Sequence, residues 1–255
     1  MSELSAEKIR EAVRQSYGEI ARVRGANAQC CPSSDCCPPK SARLGYAPEE
    51  LATLPPGADM GLGSGAPVRA ADIRPGHAVV DLGSGGGIDC FLAAGLVGAE
   101  GKVVGVDMTE EMVDLASRNA KVRGFRNVEF RLGRIESLPL PDAWADRVVS
   151  NCVVNLSPDK PAVFADVYRV LKPGGRMVIS DIVALAPLPQ AVRNDLDKRC
   201  GCVAGAATVD EIKHWLNDTG FEDIRVEFAS PKEKPADDGQ AWVASAMISA
   251  TRPAA

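Results

Sequence analysis

Histidine is nearly missing from this chain: there are two in 255 residues. Imidazole is the side chain that most readily moves protons near neutral pH, so a mechanism built on a histidine base has little to draw on. His77 opens the first expected strand, at the end away from the working edge, and His214 stands beside Trp215 on an expected helix. Both read as surface or packing residues. Long apolar runs are missing as well. None reaches the roughly 18 residues of a membrane span, and the N-terminal MSELSAEKIREAVRQ has no signal-peptide core. There is no long basic run, and the formal net charge is −5, which weighs against nucleic acid as a main partner. No internal repeat is found. These absences predict a cytoplasmic protein with neither a membrane nor a nucleic-acid partner, in a compartment where thiols stay reduced.

What the chain does have is cysteine, eight of them. A chain of this length buries roughly 75% of the surface its unfolded form exposes, so it needs no disulfide staples. The thiols then read as ligands, reactive groups or core residues. Cys30, Cys31, Cys36 and Cys37 form a C-C-x4-C-C cluster within NAQCCPSSDCCPPKS, a Pro/Ser/Asp-rich, irregular stretch. The cluster lacks the C-x2-C pairs of a structural zinc site. Cys90 lies among apolar residues, Cys152 in SNCVVNLSPDK, and Cys200 and Cys202 in the CGCVAGA stretch.

Residues 5–23 predict an amphipathic helix capped by Ser5, with Ile9, Val13, Tyr17 and Ile20 on one face packed on the core. A short helix at 48–53 precedes the glycine-rich PPGADMGLGSGAP. From residue 77, short apolar strands (77–82, 102–106, 128–132, 145–150 and the RMVISDIV stretch) alternate with helices (86–97, 109–123, 158–171). This pattern predicts an α/β, doubly wound, mostly parallel sheet with ligands at the strands' C-terminal ends. Thr208 and Glu211 have capping-box spacing for a later helix. Strands at 221–229 and 241–251, joined by a short connection, suit an antiparallel pair. The expected organisation is an N-terminal helix, Cys-rich segment and glycine loop in 1–76, then a domain over 77–255 with a small lid at 184–220.

VVDLGSGGG (79–87) ends the first strand and opens the first helix of that domain. Glycines there let the backbone approach a ligand at a helix N-terminus. The second strand ends at Asp107, a carboxylate placed to accept both hydroxyls of a ribose. With LKPGGRMVISD further on, these features resemble the class I S-adenosylmethionine-dependent methyltransferases, over roughly residues 77–183. The resemblance implies a Rossmann-like, seven-stranded sheet and S-adenosylmethionine as cofactor. It implies that Gly83, Gly85 and Gly87 approach the methionine and ribose portion, with Asp81 near the ammonium and Asp107, followed by Met108, at the ribose. Arg134, Ile135 and Glu136 would flank the adenine, and Asn151 would complete the cofactor set.

DCFLAA, GVDMTEEM, SNCVVNLSPDK, GCVAGA and the upstream GYAPEELATLPPGADMGLGSGAP together resemble the bacterial arsenite S-adenosylmethionine methyltransferases, from about residue 8 to about 228. The implied function is methyl transfer to trivalent arsenic, bound as arsenite or its thiol adducts by Cys152 and Cys202, in detoxification. Thiolates suit such a soft centre. The arsenic lone pair is itself the nucleophile, so no histidine base is required. Glutathione or another thiol reductant is the implied partner. Cys30, Cys31, Cys36 and Cys37 would collect arsenic or supply a third thiol, unless the cluster serves a redox role. Cys90 reads as a small buried residue or a ligand, and Cys200 as a spare ligand or a bystander. One departure stands out. The family pattern near GLGCGNP is here Gly61-Leu62-Gly63-Ser64-Gly65-Ala66-Pro67, so Ser64 replaces an arsenic-binding cysteine. Two rival readings are a methyltransferase for a small organic acceptor, such as a quinone precursor, and a non-catalytic metalloid-binding or thiol-sensing protein.

Overall fold

The computed structural model describes residues 4–26, 40–228 and 242–254. Cys30, Cys31, Cys36 and Cys37 lie outside the described residues. Helix α1 (Ala6–Ala26) is followed by two short helices, α2 (Pro48–Ala52) and α3 (Pro67–Ala70). Then β1 (Ala78–Leu82), α4 (Ile88–Val97), β2 (Lys102–Asp107), α5 (Glu110–Arg123) and β3 (Val128–Leu132) alternate. They continue as β4 (Ala145–Asn151), α6 (Lys160–Val170) and β5 (Leu171–Ala184). Helices α7 (Gln190–Arg193), α8 (Leu196–Cys200) and α9 (Val209–Thr219) lead to β6 (Glu222–Phe228) and β7 (Val243–Thr251).

The strands form one seven-stranded sheet in the order β3-β2-β1-β4-β5-β7-β6. Its first five strands run parallel. β7 runs antiparallel to both its neighbours, as its short connection to β6 predicted. Strand order reverses between β1 and β4, and a crevice opens at such a switch point, beyond the carboxyl ends of the strands. β1 and β2 are buried along nearly their whole length because helices cover both faces. One apolar layer unites Val80, Leu82, Phe164, Met177 and Leu216; another unites Val79, Val103, Val149, Cys90 and Val97.

Two boundaries differ from expectation. β5 begins at Leu171, ahead of the Pro173-Gly174-Gly175 turn, because Leu171 pairs with Ala145 before the register shifts to Arg147↔Arg176. The lid expected at 184–220 also divides. Thr208 and Glu211 form the predicted capping box, and α9 buries Ile212 and Leu216 in the main apolar layer, with Trp215 near Phe164. Burying Leu216 fully contributes roughly 1.5–3 kcal/mol, so α9 is a wall of the core. Helices α7 and α8, the rest of the expected covering segment, contain no buried residue. Among the described residues, no helix is long and apolar enough to cross a membrane.

Candidate active site

A cavity of about 1030 Å³, counted out to its mouth, opens at the C-terminal ends of β1, β2 and β4. Asp107 ends β2 in its wall. Its Oδ2 accepts the Gly85 N–H at 3.0 Å and its Oδ1 the Thr109 N–H at 2.9 Å, and the carboxylate borders the cavity. Burial raises its pKa above the ordinary carboxylate value, against the pull of those backbone N–H groups. Gly85 has φ +50°, and nothing lies within 4 Å of where its Cβ would be, so the loop leaves open space for a ligand there. Ser84, also in the wall, has a buried Oγ with no hydrogen-bond partner. An open cradle, an orphaned hydroxyl and a two-oxygen acceptor fit the amino-acid and ribose parts of S-adenosylmethionine.

Asp81, Gly83, Met108, Ile135, Glu136 and Asn151 also line this cavity. Two expected residues do not. Arg134 is exposed and bridges to Ser137, while Ile135 turns inward with 8% exposure. Gly87 is required by packing: at φ +96°, a Cβ would lie 2.6 Å from Phe91 Cε2 and 3.0 Å from Phe130 Cζ.

The sequence reading missed a polar network beside the loop. Asp89 accepts from the Tyr46 hydroxyl at 2.8 Å and from Asn151 Nδ2 at 3.3 Å. Burial pushes Asp89 up to about 6 despite both donors. Burial, then the neighbouring Asp89 charge, also raises Asp81. The Cys90 thiol donates to Asp81 Oδ2 at 3.2 Å, in a fully buried setting. Buried there, the Cys90 thiol supports Asp81. The only legible signal for Asp89 was an acidic residue in the first turn of a loop-facing helix, which ordinarily serves the helix dipole.

The second part of the site is sulfur. Register sets Asn151 beside Ser180, and the Cys152 N–H donates to the Ser180 carbonyl at 2.8 Å. The next residues, Cys152 and Asp181, are therefore neighbours. The turn after α8 brings Cys202 to them. The sulfurs of Cys152 and Cys202 and a carboxylate oxygen of Asp181 lie within 4.8 Å of one another. The Cys202 thiol donates to the Cys152 carbonyl at 2.9 Å. The side-chain contact with the Cys152 thiol, followed by burial and the Asp181 charge, pushes the Cys202 thiol well above its ordinary value. Both cysteines have left-handed backbone, φ +60° at Cys152 and +64° at Cys202. Non-glycine residues held there cost of order 1–3 kcal/mol each and cluster at functional sites.

Asp181 is 2% exposed and is pushed up to about 6 by burial. It accepts from Ile182 N–H at 2.7 Å and from the side chain and backbone of Asn155 at 2.9 and 3.1 Å. The sequence did not single out Asp181: it lies inside β5, and only the β4–β5 register brings it beside Cys152. Cys200 shares the apolar surroundings of the pair, yet its thiol points to the Ala12 carbonyl, 3.9 Å away on α1. The α1 stripe does more than pack on the core: Ile9, Val13 and Tyr17 lie against Cys152 and Cys202. Ser64 donates its N–H to Asn151 Oδ1 at 2.8 Å, and its Oγ is 3.1 Å from Ser180 Oγ. It therefore adjoins the strand segment that holds Cys152.

A methyltransferase-domain family model matches residues 73–220. The arsenite methyltransferase of Halobacterium salinarum is 46% identical over 97% of this chain and 68% of that protein. The chain belongs to the arsenite methyltransferase family. A second arsenite methyltransferase, from Aquipseudomonas alcaligenes, is 38% identical over 86% of this chain and 63% of its own length. The solved arsenic (III) S-adenosylmethionine methyltransferase of Chlamydomonas reinhardtii superposes with a TM-score of 0.67 at 35% identity, covering 85% of this chain and 73% of that one. The chain thus spans about two thirds of the length of these arsenite methyltransferases. The predicted seven-stranded, mostly parallel sheet is the methyltransferase fold.

Proposed function

We propose that this chain transfers methyl groups from S-adenosylmethionine to trivalent arsenic held by Cys152 and Cys202. The observation that carries the reading is the meeting of two thiols, fifty positions apart in the chain, within 4.8 Å of each other, one of which, Cys152, lines the cavity that Asp107 and Gly85 also line. When bound, S-adenosylmethionine supplies an electrophilic sulfonium methyl group. Asp107 accepts the ribose hydroxyls, Gly85 leaves room for the ligand, and Met108 and Ile135 give the adenine apolar contact. Asp81 and Asp89 offer negative charge to the methionine ammonium, which in turn favours their ionised forms.

Cys152 and Cys202 lose their protons as arsenic binds and hold it by soft sulfur donors. The arsenic lone pair attacks the methyl carbon, the carbon–sulfur bond breaks, and S-adenosylhomocysteine leaves. The nucleophile carries no proton, so no base is needed, in keeping with two histidines that both lie away from the cavity lining. The α1 residues over the thiols exclude water. Each transfer formally oxidises arsenic from the trivalent to the pentavalent state, so a further round on the same atom takes two electrons from a thiol partner, glutathione or a similar small thiol. With Ser64 in place of cysteine, the third arsenic position is filled by such a thiol, by the cluster of Cys30, Cys31, Cys36 and Cys37, or by a methyl group already added.

The test is S-adenosylhomocysteine formation with arsenite, compared with a quinone-precursor acceptor, with arsenic product speciation. Arsenite-dependent turnover yielding methylated arsenic is expected. Turnover on the organic acceptor alone would overturn the proposal, and arsenite binding without turnover would make the protein a metalloid binder.

A further inference from the structure

A second cavity is lined in part by Arg199 and residues 204–207, which flank Cys202 in the chain. Its wall includes Lys160, Arg193, Arg199, Asn194, Thr208 and Glu211. The three cations are distinctive. None has a carboxylate oxygen within salt-bridge distance among the described residues. Their donors reach only carbonyls: Lys160 Nζ to Ser157 at 3.3 Å, Arg193 Nε to Leu188 at 3.0 Å, and Arg199 Nη2 to Arg193 at 3.4 Å. Lys160 is 9% exposed, so its ammonium is buried with one long hydrogen bond. Burial, then the Arg199 charge, pushes it down to about 8.

Other donors in the wall are also unmatched. Arg199 Nε and Asn194 Nδ2 are buried and have no acceptor among the described residues. Lys160 is the first residue of α6, and Thr208 caps α9, so two eleven-residue helices turn their positive ends toward the cavity. The one acid in the wall, Glu211, is engaged with the Thr208 N–H and hydroxyl, both at 2.8 Å. The ammonium is buried and Arg199 half-buried, with Asp181 and Glu211 acting on Lys160 only at a distance and none of the three cations in a salt bridge among the described residues, so an anion joining them offsets the cost of that burial.

We propose that this cavity binds a small doubly charged oxyanion of the phosphate class. Lys160 supplies a point charge and the two arginines supply planar donors, the combination that suits phosphoryl oxygens. Arg193 lies on α7, Arg199 on α8 and Lys160 on α6, so the anion ties the covering segment to the core. The Arg199 carbonyl accepts the Cys202 N–H at 3.0 Å, so the same anion steadies the turn that carries the thiol. The inference is independent of which acceptor is methylated.

The test titrates the full chain with inorganic phosphate, using chloride at matched ionic strength as control and glycerol phosphate as a second arm. Melting temperature and hydrogen exchange over 190–206 are followed. Phosphate should give a saturable rise in melting temperature and added protection of that segment, without competing with S-adenosylhomocysteine. Tighter binding of the glycerol ester would identify a phosphorylated metabolite as the natural ligand; equal or weaker binding would identify the free anion. Lys160→Met and Arg193→Gln should each weaken phosphate binding at least tenfold and leave S-adenosylhomocysteine affinity within about twofold. Arg193 is exposed, so its variant folds even where the Lys160 variant does not. A response no greater than that to chloride, competition with S-adenosylhomocysteine, or unchanged phosphate binding in Arg193→Gln would overturn the proposal.

Discussion

Replacing Asp107 by Asn should separate cofactor binding from folding in a way the local geometry specifies. Both carboxylate oxygens already accept a backbone N–H, from Gly85 and from Thr109. An amide has one oxygen, so its NH₂ must oppose one of those donors. Thr109 is 1% exposed and its N–H has nowhere else to go, whereas Gly85 borders the cavity. The Asn oxygen should therefore turn to Thr109, and its NH₂ toward Gly85 and the ribose. One charge-assisted hydrogen bond to the ribose is lost, worth roughly 1.5–3 kcal/mol, or about 12- to 160-fold in affinity. Asp107→Ala should lose both ribose bonds and also orphan the Thr109 N–H, at a further cost to stability of about 1–3 kcal/mol. Calorimetric titration with S-adenosylhomocysteine measures the first effect and urea denaturation the second, with arsenite affinity as the control. Cofactor affinity within about threefold of wild type for both variants would show that Asp107 does not meet the ribose.

Further outcomes follow from the thiols and the buried acids. Cys152→Ser and Cys202→Ser should each abolish arsenite-dependent turnover while cofactor affinity stays within about twofold; near-normal turnover in either would remove the two-thiol site. Ser64→Cys, beside Ser180 and hence beside Cys152, should increase arsenite affinity at low free glutathione, read by titration and product speciation. An unchanged affinity would place position 64 out of reach of the metalloid. Asp89 is raised by burial from the ordinary 3.8 to about 6. The folded state therefore holds the proton more tightly, and this group's contribution to stability falls as pH rises from about 4 through 6. The stability of wild type relative to Asp89→Asn should decline over that window by at most about 3 kcal/mol, measured by urea denaturation across pH. A flat difference would show that Asp89 titrates normally.

Local pattern determined much of this protein. Strand–helix alternation, the glycine turn after β1 and the Thr208/Glu211 capping box are written in neighbouring residues, because strand period, φ > 0 turns and helix caps depend on short-range chemistry. The cysteine segments were equally legible by resemblance. Tertiary structure decided which side chains share a space. It set Cys202, on the turn after α8, against Cys152, at the end of β4, and added Asp181 through the β4–β5 register. It turned Gly87 into a packing glycine under Phe91 and Phe130, left Arg134 outside the cavity, and buried Leu216 of the expected lid in the core. It also laid the apolar stripe of α1 over the thiols. Burial and long-range register arise only when distant segments meet, and a single sequence records the residues of each segment without recording which segments meet.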